Sequence, residues 1–195
     1  KYPQLDLVTF YFPIEHDKEE EDVYMEKEGG DHFPFSKRDI ESRVLNYTVP
    51  FEIEKNPVIY VRAQSISVMH IPIYLAPQRF FHLRDNETQL IMGVYFGIML
   101  IMGFYNFFLF LSLKDKIYLY YVLTVSFTIL YMVSFHGYGY WHFWSEYPYI
   151  QSKIIHVSGL IAVIFLNLFT VEFLDTKKFT PIFDKILKVL LFLSI

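Results

Sequence analysis

Residues 90–113, LIMGVYFGIMLIMGFYNFFLFLSL, are twenty-four in a row without a charged side chain, and the pattern of polar and apolar positions differs on the two sides of this run. A helix of that length rises about 36 Å, enough to cross a hydrocarbon core of about 30 Å. A polar turn follows, Lys114-Asp115-Lys116, then an uncharged run at Ile117–Phe135 and another at Ile154–Val171. The pattern therefore predicts membrane-spanning helices at about 90–113, 117–135 and 154–171, with the start of a fourth from about 186. So short a first link makes the first two helices antiparallel neighbours.

Before the first run the period is two, not 3.6. QLDLVTFYF at residues 4–12 places Leu5, Leu7, Thr9 and Tyr11 on one side and Asp6, Val8, Phe10 and Phe12 on the other, which predicts a strand ended by Pro13. Alternation returns at Val44, Leu45, Tyr47, Val49 and Phe51, where Pro50 marks an edge or strand end. It is strong at Val58–Ser65 and is followed by a further strand at Val68–Leu75. The charge-dense stretch between, HDKEEEDVYMEKEGGD, reads as a solvated hairpin or loop closed by Gly29-Gly30. Residues 1–86 thus read as an antiparallel β-sandwich and residues 87–195 as a transmembrane helical domain, joined by a short interfacial segment at Pro77–Thr88.

Charge sharpens this division. Lys1–Glu87 hold 10 basic and 16 acidic residues, and Thr88–Ile195 hold 7 and 5, so an acidic head is followed by a weakly basic tail. With no basic patch, nucleic-acid binding is not expected. There is no cysteine, which excludes disulfides and thiolate metal sites. Lys114 and Lys116 in the first link and Lys177, Lys178, Lys185 and Lys188 in the third outnumber the single Lys153 of the second. The positive-inside rule then puts the first and third links in the cytoplasm, and the head and second link outside. The chain starts at Lys1 without a signal-peptide pattern and stops within an apolar run, so it reads as a fragment open at both ends.

The chemistry on offer is recognition rather than catalysis. The histidines of the head are scattered, and neither an HExxH spacing nor a nucleophile-elbow serine occurs, so no catalytic residue, cofactor or metal site is expected. The acidic residues of 15–28 lack the alternation of an EF-hand loop. Tyr60, Arg62 and Gln64 share one strand face and, with Arg38, are the candidate ligand contacts. The alternative for the strand face is the ordinary polar side of an antiparallel sheet. Gly93 and Gly97 form a GxxxG, a candidate helix-packing face, and Asn106 is the strongly polar side chain of the first span, expected to find a partner across a helix interface. After the second span, Tyr138, Tyr140, Trp141 and Trp144 belong to an aromatic cluster that reads as a membrane-interface belt, with a stacking surface for a ligand or for the head as the sharper alternative.

These residues carry a resemblance. YxGI at Tyr95–Ile98, Tyr105-Asn106 with FLFLSL, the Lys114-Asp115-Lys116 turn and Tyr118-Leu119-Tyr120-Tyr121 resemble the opening of the bacterial seven-transmembrane receptors with diverse intracellular signalling modules (7TMR-DISM). LDLVTFYF, residues 30–38 and VIYVRAQS resemble that family's second type of extracellular domain, a jelly-roll-like sandwich similar to carbohydrate-binding modules. The match covers an incomplete head and three of seven helices plus the start of a fourth. It implies a multi-pass protein of the bacterial cytoplasmic membrane with its N-terminal domain outside, sensing a small-molecule or carbohydrate ligand. The signal would pass to a cytoplasmic module in cis, of the histidine kinase, nucleotide cyclase or phosphatase kind, and a homodimer is among the expectations. A transporter or channel subunit with an accessory outer domain is the alternative, and it predicts charged or broken helices at the midplane.

Overall fold

The computed structural model describes residues 7–13, 24–30, 33–40, 42–49, 58–65 and 71–193. It divides into two compact units. One contains residues 1–73 with 133–153, and the other contains residues 74–132 with 154–195.

The first unit is built on a three-stranded antiparallel sheet: β1 (Leu7–Pro13), β2 (Tyr24–Gly29) and β3 (Tyr60–Gln64), in the order β2-β1-β3. Val8 pairs with Gly29 and Ala63, and Phe10 with Lys27 and Val61, so these side chains share one face. Thr9 pairs with Glu28 and Arg62, and Tyr11 with Glu26 and Tyr60, on the other. The first face is the core side, where Val8 and Phe12 are each 2% exposed and the Tyr47 ring lies 4.7 Å from Phe10. The alternation in β1 and β3 therefore points as its apolar positions require.

One head segment resolves an open expectation and two depart from it. Residues 24–29 of the acidic stretch form strand β2, the hairpin rather than the loop of the two expected forms, because pairing with Val8–Pro13 of β1 supplies what Glu and Lys lack in strand propensity. Lys27 is accommodated on the core side by an ion pair with Asp39 and by the Phe12 ring 6.0 Å away. Residues 14–23 lie outside the described residues. The alternating segment 44–49 joins no ladder; its apolar side chains cover the sheet instead, with Val44 buried. Of the strand expected at Val68–Leu75, residues 71–75 have no regular structure and 66–70 lie outside the described residues.

The helices are α1 (Gln78–Leu113), α2 (Lys116–Phe135), α3 (Tyr138–His142), α4 (Pro148–Phe173), α5 (Thr176–Phe179) and α6 (Pro181–Leu193). Among the described residues, three helices are long and apolar enough to cross a membrane: α1, α2 and α4. The expected interfacial segment is the first part of α1. No Gly or Pro interrupts residues 78–89, and Gln89 Nε2 donates to Asp85 Oδ2 one turn back at 2.7 Å, so the helix runs unbroken from Pro77. Likewise α4 and α6 start earlier than the uncharged runs, each on a proline, whose fixed φ suits a first helical position.

The reversal between α1 and α2 takes two residues. Lys114 adopts a left-handed conformation (φ 53°) with its N–H on Phe110 O at 2.7 Å, and Asp115 Oδ1 accepts from Ile117 N at 3.0 Å. Within the second unit α2 and α4 run antiparallel. Tyr131 packs on Gly159, Phe127 stacks on Phe165 at 6.0 Å, Tyr121 meets Phe169 at 5.6 Å, and Lys116 Nζ pairs with Glu172 Oε1 at 2.9 Å.

Candidate functional site

The residues between α2 and α4 are held to a fixed course by a glycine pair and a glutamine. Gly137 sits at φ 80°, a conformation that suits glycine, and its N–H returns to Ser134 O at 3.0 Å, turning the chain into α3. Two residues on, a Cβ at Gly139 would overlap the Trp144 ring, so the absence of a side chain lets the indole close over α3. Trp144 Nε1 then donates to Gln151 Oε1 at 2.7 Å, and Gln151 Nε2 donates to Ser134 O at 2.6 Å. Gln151 and Ser134 are buried, so this chain of hydrogen bonds ties the end of α2 to the start of α4 where water does not compete.

So held, α3 presents its tyrosines to the head, all within the first unit. Tyr140 is 3% exposed, and its hydroxyl donates to the Phe33 carbonyl. The Arg38 guanidinium lies 5.4 Å from the Tyr140 ring centre, and Arg43 stands at the same distance from Tyr138. Each cation–π contact contributes about 0.5–2 kcal/mol depending on its desolvation. Arg38 is aimed by its own turn, since Nη1 donates to Ser42 O at 2.7 Å, four residues along. The short 3-10 turn Phe35–Lys37 brings Phe33 and Arg38 together.

Beside this contact is a cavity walled by the end of β2 (Glu28 to Gly30), by residues of the Phe33–Arg38 turn, and by Leu45, Asn46 and Tyr47. It is a shallow hollow whose empty space is about 250 Å³ only when the adjoining open solvent is counted. Asn46 Nδ2 and Tyr47 Oη are buried without a hydrogen-bond partner. Burial first, and the Asp39 charge second, push the Tyr47 phenol up to about 12 against the opposing pull of Arg38, so it remains a neutral donor at any ordinary pH.

The structure separates the residues singled out in the sequence. Tyr60, Arg62 and Gln64 do share a face, an exposed one opposite Glu26 and Glu28, while Arg38 is away from that strand, on Tyr140. Of the aromatic cluster, Tyr138 and Tyr140 meet head arginines, Trp144 closes the loop, and Trp141 stacks on His142 at 4.5 Å. Gly93 and Gly97 have nothing within 4 Å of where a Cβ would be; the glycines in helix contact are Gly103, against Val125, and Gly159, against Tyr131. Asn106 Nδ2 donates to Met102 O at 2.9 Å in its own helix rather than across an interface, because the amide reaches the carbonyl one turn back. Sequence reasoning did not single out Arg43, Gly139 or Gln151. Gly137 and Gly139 inside an aromatic run were the available signal for the loop, and nothing local marks Gln151.

Residues 88–195 match the family model described as 7TM diverse intracellular signalling, and residues 1–77 match that described as 7TMR-DISM extracellular 2. No curated protein matches. No solved structure matches either.

Proposed function

The chain belongs to the 7TMR-DISM family, a receptor-like multi-pass membrane protein with an extracellular and a seven-helix domain, and we propose that it couples ligand occupancy of the head to the packing of its helices. The ligand is a small molecule or carbohydrate, and the receiver is a cytoplasmic signalling module in cis. The observation that carries this reading is the seating of α3 on the head through Tyr140 with Phe33 and Arg38, and through Tyr138 with Arg43. The segment making these contacts is covalently continuous with α2 and α4, both long enough to span a membrane. A ligand that favours one arrangement of the Phe33–Arg43 turn would bias the ends of two helices at once. It needs only a differential affinity of the size of one or two such contacts, about 1–3 kcal/mol.

The test is the natural full-length protein with its own output module. Arg43→Met and Tyr140→Phe are expected to shift the resting output several-fold while expression in the membrane stays unchanged. Output identical to wild type in both would refute the coupling. Orientation is tested separately in the cysteine-free background. Glu146→Cys is expected to react with an impermeant maleimide in intact cells, and Lys177→Cys only after lysis. The reverse pattern would overturn the outward placement of the head.

A further inference from the structure

We infer that the corner formed by α5 and the first turns of α6 is a docking surface for the headgroup layer of an anionic lipid bilayer. The three helices long enough to span are apolar on all sides, whereas α6 is sharply amphipathic from its first turn. Ile182, Phe183, Ile186 and Val189 share one face at helical spacing, and all four are exposed, Ile182 at 75%. Lys185 borders that face. Thr176 ties α5 to α6, and α5 adds the exposed Lys177, Lys178 and Phe179. An apolar face bordered by lysines suits a helix lying in a membrane interface, where the apolar side chains enter the acyl boundary and the lysine stems carry their ammonium groups out to the phosphates.

Charge selects an anionic surface. The acid of this corner is withdrawn from it, since Asp184 is 6% exposed and accepts from Lys188 Nζ at 2.6 Å and from Thr176 Oγ1 at 3.0 Å. The Lys188 bond holds this carboxyl below the usual range against the opposing effect of burial, and Thr176 adds to it, so at neutral pH the group is ionised and already matched. Lys177, Lys178 and Lys185 meet no acid within ion-pair distance among the described residues, while Lys116 is taken up by Glu172. Three cations are thus left for phosphates. The corner is also built in advance. Asp175 ends α4 in a left-handed conformation (φ 42°), and its carbonyl accepts from Lys178 N at 2.9 Å and Phe179 N at 3.1 Å, so α5 starts afresh and the Thr176–Asp184 bond fixes α6 to it.

This inference goes beyond the receptor reading and does not depend on it; with the orientation proposed above, the leaflet is the cytoplasmic one. It is tested by extracting the full chain from vesicles of phosphatidylcholine and phosphatidylglycerol in equal amounts and measuring the lipid it retains by mass spectrometry. Phosphatidylglycerol is expected to be enriched at least about fivefold over phosphatidylcholine. The triple variant Lys177→Met, Lys178→Met, Lys185→Met is expected to return the ratio to that of the vesicle, and Lys114→Met, at an exposed lysine outside the corner, to leave the enrichment in place. If the triple variant does not fold by circular dichroism, Lys185→Met decides alone, with an expected fall of about twofold. Free glycerol phosphate in large excess is expected not to displace the lipid; displacement would mean that the lysines read a soluble phosphate. That result, no enrichment in wild type, as when the lysines serve an acidic protein surface, enrichment unaltered in the lysine variants, or equal loss in Lys114→Met overturns the assignment. Arg43 and Tyr140 lie outside this corner, so the output of their variants tests the coupling independently.

Discussion

The loop between α2 and α4 and the helix α1 are both dense in aromatic and apolar side chains, and they use them in opposite ways. Tyr140 is 3% exposed and is held by a hydrogen bond and a guanidinium; Leu90 on α1 is 70% exposed. The difference follows from solvent. A helix that crosses a bilayer has its apolar side chains at home in lipid, so exposure in α1 is compatible with a stable span. A loop whose backbone turns cannot satisfy themselves needs directional contacts, and here these come from residues more than a hundred positions away, Phe33 and Tyr140 being 107 apart. Specificity in the loop therefore rests on named long-range contacts, whereas α1 offers lipid-compatible surface.

The largest effect should come from Tyr140→Ala. It empties a buried ring site, strands the Phe33 carbonyl and removes the surface on which Arg38 lies. Large-to-small changes at buried aromatic positions cost about 3–5 kcal/mol, and we expect a loss in that range by thermal unfolding in detergent. The same truncation at an α1 aromatic such as Phe108, 65% exposed, should leave the transition nearly in place. Equal losses at the two positions would erase the contrast between loop and helix.

Gly139→Ala is next. The added methyl overlaps the Trp144 ring, and overpacking of this kind costs about 1–3 kcal/mol. Both tryptophans of the chain lie in this loop, so their fluorescence reports it without further labelling. A red shift in emission is expected as the indole leaves its place. Gly97→Ala, where a Cβ meets nothing within 4 Å, serves as the control and should leave the emission unchanged.

These two positions also mark what could be read from the chain alone. The three spans were legible because uncharged runs and a polar turn act locally, and β1 and β3 because alternation does. Strand β2 was legible only as one arm of a hairpin, with a loop as the equal alternative, since Glu26, Lys27 and Glu28 become a strand only through pairing with β1. The start of α1 was hidden for a related reason. Residues 78–89 are polar enough to look like a junction, but they contain no helix breaker. The seating of α3 on the head was visible only as one of two readings of an aromatic cluster, because no local pattern tells Tyr140 that Phe33 is its acceptor. The cavity was invisible in sequence: its two partnerless donors are ordinary Asn and Tyr residues until the fold buries them.

A pH measurement sharpens the head's side of the comparison. Tyr47 is raised from 10 to about 12 by burial, so the folded state holds this proton more firmly than the unfolded one. Its contribution is complete below pH 10 and is lost as pH rises from 10 through 12. Denaturant unfolding of the full chain followed against pH should show stability falling in that window more steeply in wild type than in Tyr47→Phe. Parallel curves would mean that Tyr47 is not buried as described.

The smallest effect should come from Asn106→Leu, which tests the helix side. A polar amide in a membrane span invites the view that it fastens one helix to another, and such bonds contribute about 0.6–2 kcal/mol. Here one amide N–H donates to Met102 O within α1 rather than to a neighbouring helix, which lowers what the side chain has to gain across an interface. Leucine at this position gives up the bond together with the group that required it, and is as well suited to lipid as its surroundings. The expected change in thermal stability is under about 0.5 kcal/mol, with output shifted less than by Arg43→Met. A loss above about 1 kcal/mol would mean that Asn106 turns toward another helix when the membrane domain is assembled, and α1 would then carry specificity of its own.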